Sequence, residues 1–141
     1  MKIAVIGLGF VGLSLASVLA SKGNNVIGID VDIEKCKKIR GGISLFFEPD
    51  LEKILRIGLK KKLTISNDFS LIKDCDMIFV AVGTPQKSNG AIELSMIKKA
   101  VTSIGSVLAK SKKSQIVLIK STVIPGTMQN IILPILEKRS G

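Results

Sequence analysis

Ile3-Ala4-Val5-Ile6 has no polar residue to turn toward water on either side, and it runs straight into Gly7-Leu8-Gly9-Phe10-Val11-Gly12. A strand of that kind must be covered on both faces, as a central strand of a parallel sheet is. The pattern recurs. Val26-Ile27-Gly28-Ile29, Leu63-Thr64-Ile65, Met77–Val82 and Ile116–Ile119 are further short apolar runs. Segments with helical spacing separate them. Residues 10–22 are closed by Gly23, residues 33–40 are stopped by Gly41-Gly42, and Glu48-Pro49-Asp50 opens a helix to about Leu59. Residues 69–73 make a turn or two. Leu94, Ile97, Val101, Ile104 and Leu108 mark an amphipathic helix, and a last helix after Pro125-Gly126 reaches Lys138, kinked by Pro134. Strand and helix alternation predicts an α/β fold with a parallel sheet. Right-handed crossovers make it doubly wound and Rossmann-like, with strand order 3-2-1-4-5, helices on both faces and a single domain over 1–141.

Several function classes lose their support in the composition. No apolar run reaches the ~18 residues of a membrane span, and the apolar start lacks the basic flank of a signal peptide. Cys36 and Cys75 form no C-x-x-C pair, so neither a disulfide framework nor a metal site is expected, and a reducing cytoplasm is the default. The chain has no His, Trp or Tyr, which removes the commonest general base and most base-stacking platforms. The formal charge is +10, from 21 Lys and Arg against 11 Asp and Glu. Lys60–Lys62 and Lys110, Lys112 and Lys113 are expected where helices end. Asp32, Glu34, Asp50, Glu52 and Asp68 are expected where helices begin. That placement complements helix dipoles, so nucleic acid is not an expected partner, and without a spanning run neither is a membrane. An anionic small molecule or an acidic partner domain is compatible with it.

The glycine loop stands directly after a strand and at the start of a helix, the setting in which G-x-G-x-x-G binds a dinucleotide. Gly7 permits the tight turn, Gly9 a close approach of backbone to a pyrophosphate, and Gly12 close packing of the helix on the sheet. The helix N-terminus supplies free N–H groups. The second strand ends at Asp30, 18 residues after Gly12. A carboxylate there accepts from ribose hydroxyls and repels a 2′-phosphate, which favours NAD over NADP. The other reading of Asp30 is a cap for the helix near Ile33, although Asp32 is better placed for that task. Gly83-Thr84-Pro85 and Ser121-Thr122 leave strands 4 and 5 on the same edge, at the switch point between strands 1 and 4. Their hydroxyls are expected to face the cofactor crevice.

GLGFVGLSLA, GIDVD-x-x-K, FEPDLE, DMIFVAVGTP and KSTVIPGT follow in that order across the whole chain. Together they resemble the N-terminal NAD-binding domain of the UDP-glucose/GDP-mannose 6-dehydrogenase family. The resemblance implies that Phe10 and Val11 offer backbone N–H groups to the pyrophosphate. It implies that Asp30 and Lys35 hold the adenosine ribose. Thr84 would contact the nicotinamide-side ribose and phosphates, and Thr122 would lie near the nicotinamide as the one catalytic position, helping to place a water. Family members oxidise the C6 alcohol of a nucleotide sugar such as UDP-glucose or UDP-N-acetylmannosamine to a carboxylate, with two NAD and a catalytic cysteine. The thiolate traps the aldehyde so that a second hydride can leave.

This sequence lacks the family's G-x-x-G-x-C segment, the acids after a sixth strand, the helical Lys/Asn pair and the nucleotide-sugar domain. Cys36 and Cys75 are read as bystanders, and Glu93-Leu94-Ser95 replaces the usual Asp-Leu-Ser. The expectation is a chain that binds NAD without turnover. Nucleotide-sugar binding and a homodimer built on a central helix belong to the longer proteins. A non-catalytic NAD-sensing module and the cofactor domain of a β-hydroxyacid-type dehydrogenase are the contrasting readings. KSTV-x-PGT, with Thr122, argues against the first, and the VGTP and STV-x-PGT pair against the second.

Overall fold

In a computed structural model describing residues 1–141, β1 (Lys2–Ile6) lies at the middle of five parallel strands, and Ile3 to Ile6 are all buried. β2 (Asn25–Ile29) and β3 (Leu63–Ser66) extend the sheet on one side, β4 (Met77–Val80) and β5 (Ile116–Ile119) on the other, giving the predicted order β3-β2-β1-β4-β5. The register aligns the strand starts. Leu63, Val26, Ile3, Met77 and Ile116 are partners in one row.

Two apolar cores sandwich this sheet. On one face α1 (Phe10–Ser21), α2 (Ile33–Arg40) and α3 (Leu51–Lys61) cover Ile3, Val5, Val26, Leu63 and Ile65. Small residues let α1 and α3 approach closely: a Cβ on Gly58 would stand 3.2 Å from that of Ala20. On the other face α4 (Ser95–Leu108), a 3-10 turn (Phe69–Ile72) and α5 (Leu133–Ser140) bury Ala4, Ile6, Ile78 and Val80. Ile97, Val101 and Ile104 of α4 are fully buried, as their helical spacing requires. No helix is long and apolar enough to cross a membrane.

Five details differ from the sequence reading. β4 ends at Val80 and not at Val82. The Ala81 N–H still donates to the Ile6 carbonyl at 2.7 Å, but the chain then peels away from β1. β5 is half covered: Ile116 and Leu118 are 58% and 36% exposed, since helices lie over only one face of this edge strand. α3 starts at Leu51, three residues after Glu48. α4 has no cation in its last turn, so Lys110, Lys112 and Lys113 lie in the loop beyond it, where Lys113 pairs with Asp76. The predicted kink resolves into a π-helical turn over Met128–Ile132, with Pro134 second in α5. Proline lacks an N–H and its ring crowds the carbonyl four residues back, which the wider turn accommodates.

The acids at helix starts divide into two kinds. Asp32 caps α2 by accepting the Lys35 N–H at 2.9 Å, and Asp68 caps the 3-10 turn by accepting that of Ser70 at 2.8 Å. Asp50 precedes α3 without capping it. Its φ of 60° is the one left-handed value outside glycine. Asp50→Gly should therefore raise stability by about 0.5–1 kcal/mol, read as an increased urea midpoint at unchanged slope.

Candidate functional site

The carboxyl ends of β1 and β2 are joined before any ligand is considered. The Gly7 N–H donates to the Ile29 carbonyl at 2.7 Å, and Gly7 turns the chain at φ 90°. A Cβ there would also lie 2.9 Å from the Ala81 carbonyl oxygen and from the backbone of Val82. Gly12 is tighter still. Its Cβ would stand 1.8 Å from the Gly7 carbonyl oxygen. The close approach that this glycine permits is thus to the loop's own first turn, with the sheet behind it. Gly9 is different: a Cβ there would meet nothing within 4 Å. It is the N-cap of α1, with no side-chain cap and no acid in the first turn. The first N–H groups of the helix therefore face an open space with positive potential.

Across that space lies Asp30, 7% exposed. Its Oδ2 accepts the Leu8 N–H at 2.8 Å and the Lys35 ammonium at 2.9 Å, and its Oδ1 accepts the Asp32 N–H at 3.0 Å. The capping alternative is settled by this division of labour. Asp32 caps α2, while Asp30 fastens the glycine loop to the α2 entry.

Gly7, Gly9, Asp30, Lys35 and Gly83 line one cleft of about 450 Å³. Its walls are mainly apolar, with Ile6 and Ile29 at the strand ends and Phe69 and Val82 beside them. α4 contributes Met96, Lys99 and Ser103, which the sequence reading missed. Their signal was present, since these positions are one residue off the buried Ile97–Ala100–Ile104 stripe and share a face of α4. Phe10 and Val11 are 65% and 54% exposed on the first turn of α1, outside the cleft lining. The Phe10 ring meets Phe46 at 4.1 Å between centroids, so the loop after α2 folds back to the glycine loop.

Thr84 and Thr122 also stand outside the cleft, yet they are together. The Thr84 Oγ1 donates to the Thr122 carbonyl at 2.8 Å and ties the exits of β4 and β5. Ser121, expected to face the crevice, instead donates its hydroxyl to the Val82 carbonyl at 2.7 Å. Where β4 has left the ladder its carbonyls need donors, and the nearest hydroxyl serves. Glu93 accepts the Ser95 N–H at 2.7 Å and holds the start of α4; that hydrogen bond keeps its carboxyl below the usual range.

Neither cysteine is exposed to the cleft. Both are buried. Burial pushes the Cys36 thiol up in pKa, the negative Asp30 adds to the shift, and Sγ donates to the Asp30 carbonyl at 3.4 Å. Burial raises Cys75 as well. No group of three His, Cys, Asp or Glu residues is placed to hold a metal ion.

Residues 1–141 match the UDP-glucose/GDP-mannose dehydrogenase family, NAD binding domain. The chain belongs to this family. GDP-mannose 6-dehydrogenase of Pseudomonas syringae pv. tomato is 40% identical over 143 residues, and UDP-glucose 6-dehydrogenase of Haloferax volcanii is 34% identical over 141. A ternary complex of GDP-mannose dehydrogenase from Pseudomonas aeruginosa superposes with a TM-score of 0.97 at 38% identity. All of this chain is covered in each comparison, but only 33% of each relative. The chain spans about a third of the length of the relatives it matches.

The NAD-binding domain fits the cofactor of its family on its own geometry. The loop is open at Gly9, which leaves its backbone accessible from the cleft, and closed at Gly7 and Gly12, where backbone packs against backbone. These two kinds of glycine should separate in the test tube. Gly12→Ala should cost about 3 kcal/mol or more, because its neighbour is backbone and cannot yield. Gly9→Ala should cost no more than about 1 kcal/mol, the penalty of alanine at an N-cap, in the same denaturation series.

Proposed function

We propose that the cleft at the carboxyl edge takes NAD, with its diphosphate at the Gly9–Gly12 amides and its adenosine ribose beside Asp30 and Lys35. The observation that carries this is the pairing of an uncapped helix N-terminus at Gly9 with a buried carboxylate across the same cleft. The first attracts an anion and the second accepts from hydroxyls, so the pair selects a ligand that has both. Asp30 also disfavours a second phosphate on the ribose, since its charge is fixed in place by Leu8, Asp32 and Lys35. Lys35, which lines the same cleft and pairs with Asp30, would share in holding the ribose.

The nicotinamide end lies toward Gly83, Thr84 and Thr122. The Thr84–Thr122 bond holds that end at a fixed width. Thr122 then orients a water or the carboxamide. NAD supplies a hydride acceptor at this point.

The larger reaction proposed is oxidation of a nucleotide sugar at C6, the activity class named in the relatives. This chain provides the cofactor half. The nucleophile is not Cys36 or Cys75, because both thiols are buried and shifted away from the thiolate. The sugar and its base are recognised by residues outside these 141.

Two measurements test the proposal. Asp30→Ala should raise the NAD dissociation constant by about tenfold or more and narrow the preference over NADP. Titration calorimetry reads both ligands, and thermal unfolding reads the separate loss of the Leu8 anchor. Unchanged NAD affinity would sink the ribose assignment. The 141-residue chain should also form no NADH from UDP-glucose or GDP-mannose while still binding NAD. Turnover would show that a nucleophile had been overlooked.

A further inference from the structure

The edge of the sheet opposite the cleft carries a charge that the fold does not explain. Because Leu63, Val26, Ile3, Met77 and Ile116 lie in one register row, the residues just before them share a rim about 19 Å long, at ~4.8 Å per strand. The helices that return from the carboxyl edge also finish there. α1 is followed by Lys22, α3 ends at Lys60 and Lys61 with Lys62 next, and α5 runs out through Lys138 and Arg139. The loop after α4 adds Lys110, Lys112 and Lys113, and Lys2 and Lys73 stand at the starts of β1 and of the β4 approach.

Eleven of the 21 cations thus share this rim with three of the 11 acids, Asp74, Asp76 and Glu137. The rim holds +8 of the net +10, and the remainder of the molecule is close to neutral. Only two of the eleven have a polar side-chain contact. The Lys61 ammonium donates to the Ser21 carbonyl at 3.2 Å, and Lys113 pairs with Asp76. Dipole complementation needs a cation in the last turn of a helix. It does not account for Lys2 on a strand, or for Lys62, Lys73, Lys110 and Lys112 beyond helix ends. Clustered like charges repel one another and work against folding.

The residues between the lysines indicate what meets them. Met1 is 64% exposed and Ile116 58% exposed on the same rim. None of the five phenylalanines is there, and Arg139 is the single arginine. Nucleic-acid recognition draws on stacking aromatics and bidentate arginines, which the rim lacks. Flexible lysines around exposed aliphatic side chains suit a lipid head-group layer, where the ammonium meets phosphate and the stem and the aliphatic groups enter the acyl boundary.

We propose that this rim is a peripheral docking surface for an anionic lipid bilayer. The contact is superficial, so it calls for no spanning helix. Docked this way, the cleft at the opposite edge opens to solution, and the surface stands whether or not the cleft takes NAD.

Vesicle co-sedimentation tests it with the intact chain. Phosphatidylcholine vesicles with about one-third phosphatidylserine should retain the protein, pure phosphatidylcholine should not, and raising salt from about 0.1 M to about 0.5 M should release it. The triple variant Lys62→Glu/Lys73→Glu/Lys112→Glu should lower partitioning at least about tenfold. A control of equal net charge, Lys38→Glu/Lys53→Glu/Lys98→Glu, should stay within about threefold of the parent. Thermal midpoints confirm that both variants fold. No retention on anionic vesicles, equal loss in the two triples, or tighter retention on duplex DNA at matched salt would each overturn the proposal.

Discussion

One carboxylate connects the parts on which the cleft depends. Asp30 accepts from Leu8 in the glycine loop, from Asp32 at the α2 entry and from the Lys35 ammonium. A buried charge of this kind is tolerable only when its lone pairs are met, and here three donors meet them. β1–α1 and β2–α2 are thereby held as one body. The glycine loop has no freedom to drift, because Gly12 presses on the Gly7 carbonyl from behind while Asp30 holds Leu8 from the side. An anion that arrives at Gly9 therefore meets amides already in position, which is how preorganised sites avoid the entropic cost of ordering a loop.

The same arrangement divides the glycines by function. Gly7 and Gly12 are needed by the fold's close packing, while Gly9, the N-cap of α1, has open space beside it. The sequence motif assigns the three different tasks, but only the packing shows which of them leaves room for a side chain. Their shared spacing reflects a turn, an approach and a helix contact that happen to fall within six residues.

Much of the architecture was legible because it follows from period and burial. Strands apolar on both faces require cover on both, and that condition with right-handed crossovers left little choice beyond the observed order. What was not legible depends on contacts between distant segments. The Ser121 hydroxyl turns to Val82 because β4 leaves the ladder early, and nothing local to Ser121 reports that. Met96, Lys99 and Ser103 reach the cleft through the rotation of α4, set by its buried stripe. The link from Phe10 to Phe46 joins a helix start to a loop that no periodic pattern describes. The exposed face of β5 depends on where the helices stop, which an apolar run cannot tell.

That half-covered β5 gives the crevice a gradient of rigidity. The Asp30 side rests on β1 and β2, whose residues are almost wholly buried and whose loops are pinned by Asp30. Thr122 rests instead on an edge strand of four residues with neighbours on one side only. Local opening costs least where burial is least, so the Thr122 end of this edge breathes first. A dinucleotide bound as proposed would be gripped from a fixed end toward a compliant one, and the compliant end would be the one able to admit a reacting partner.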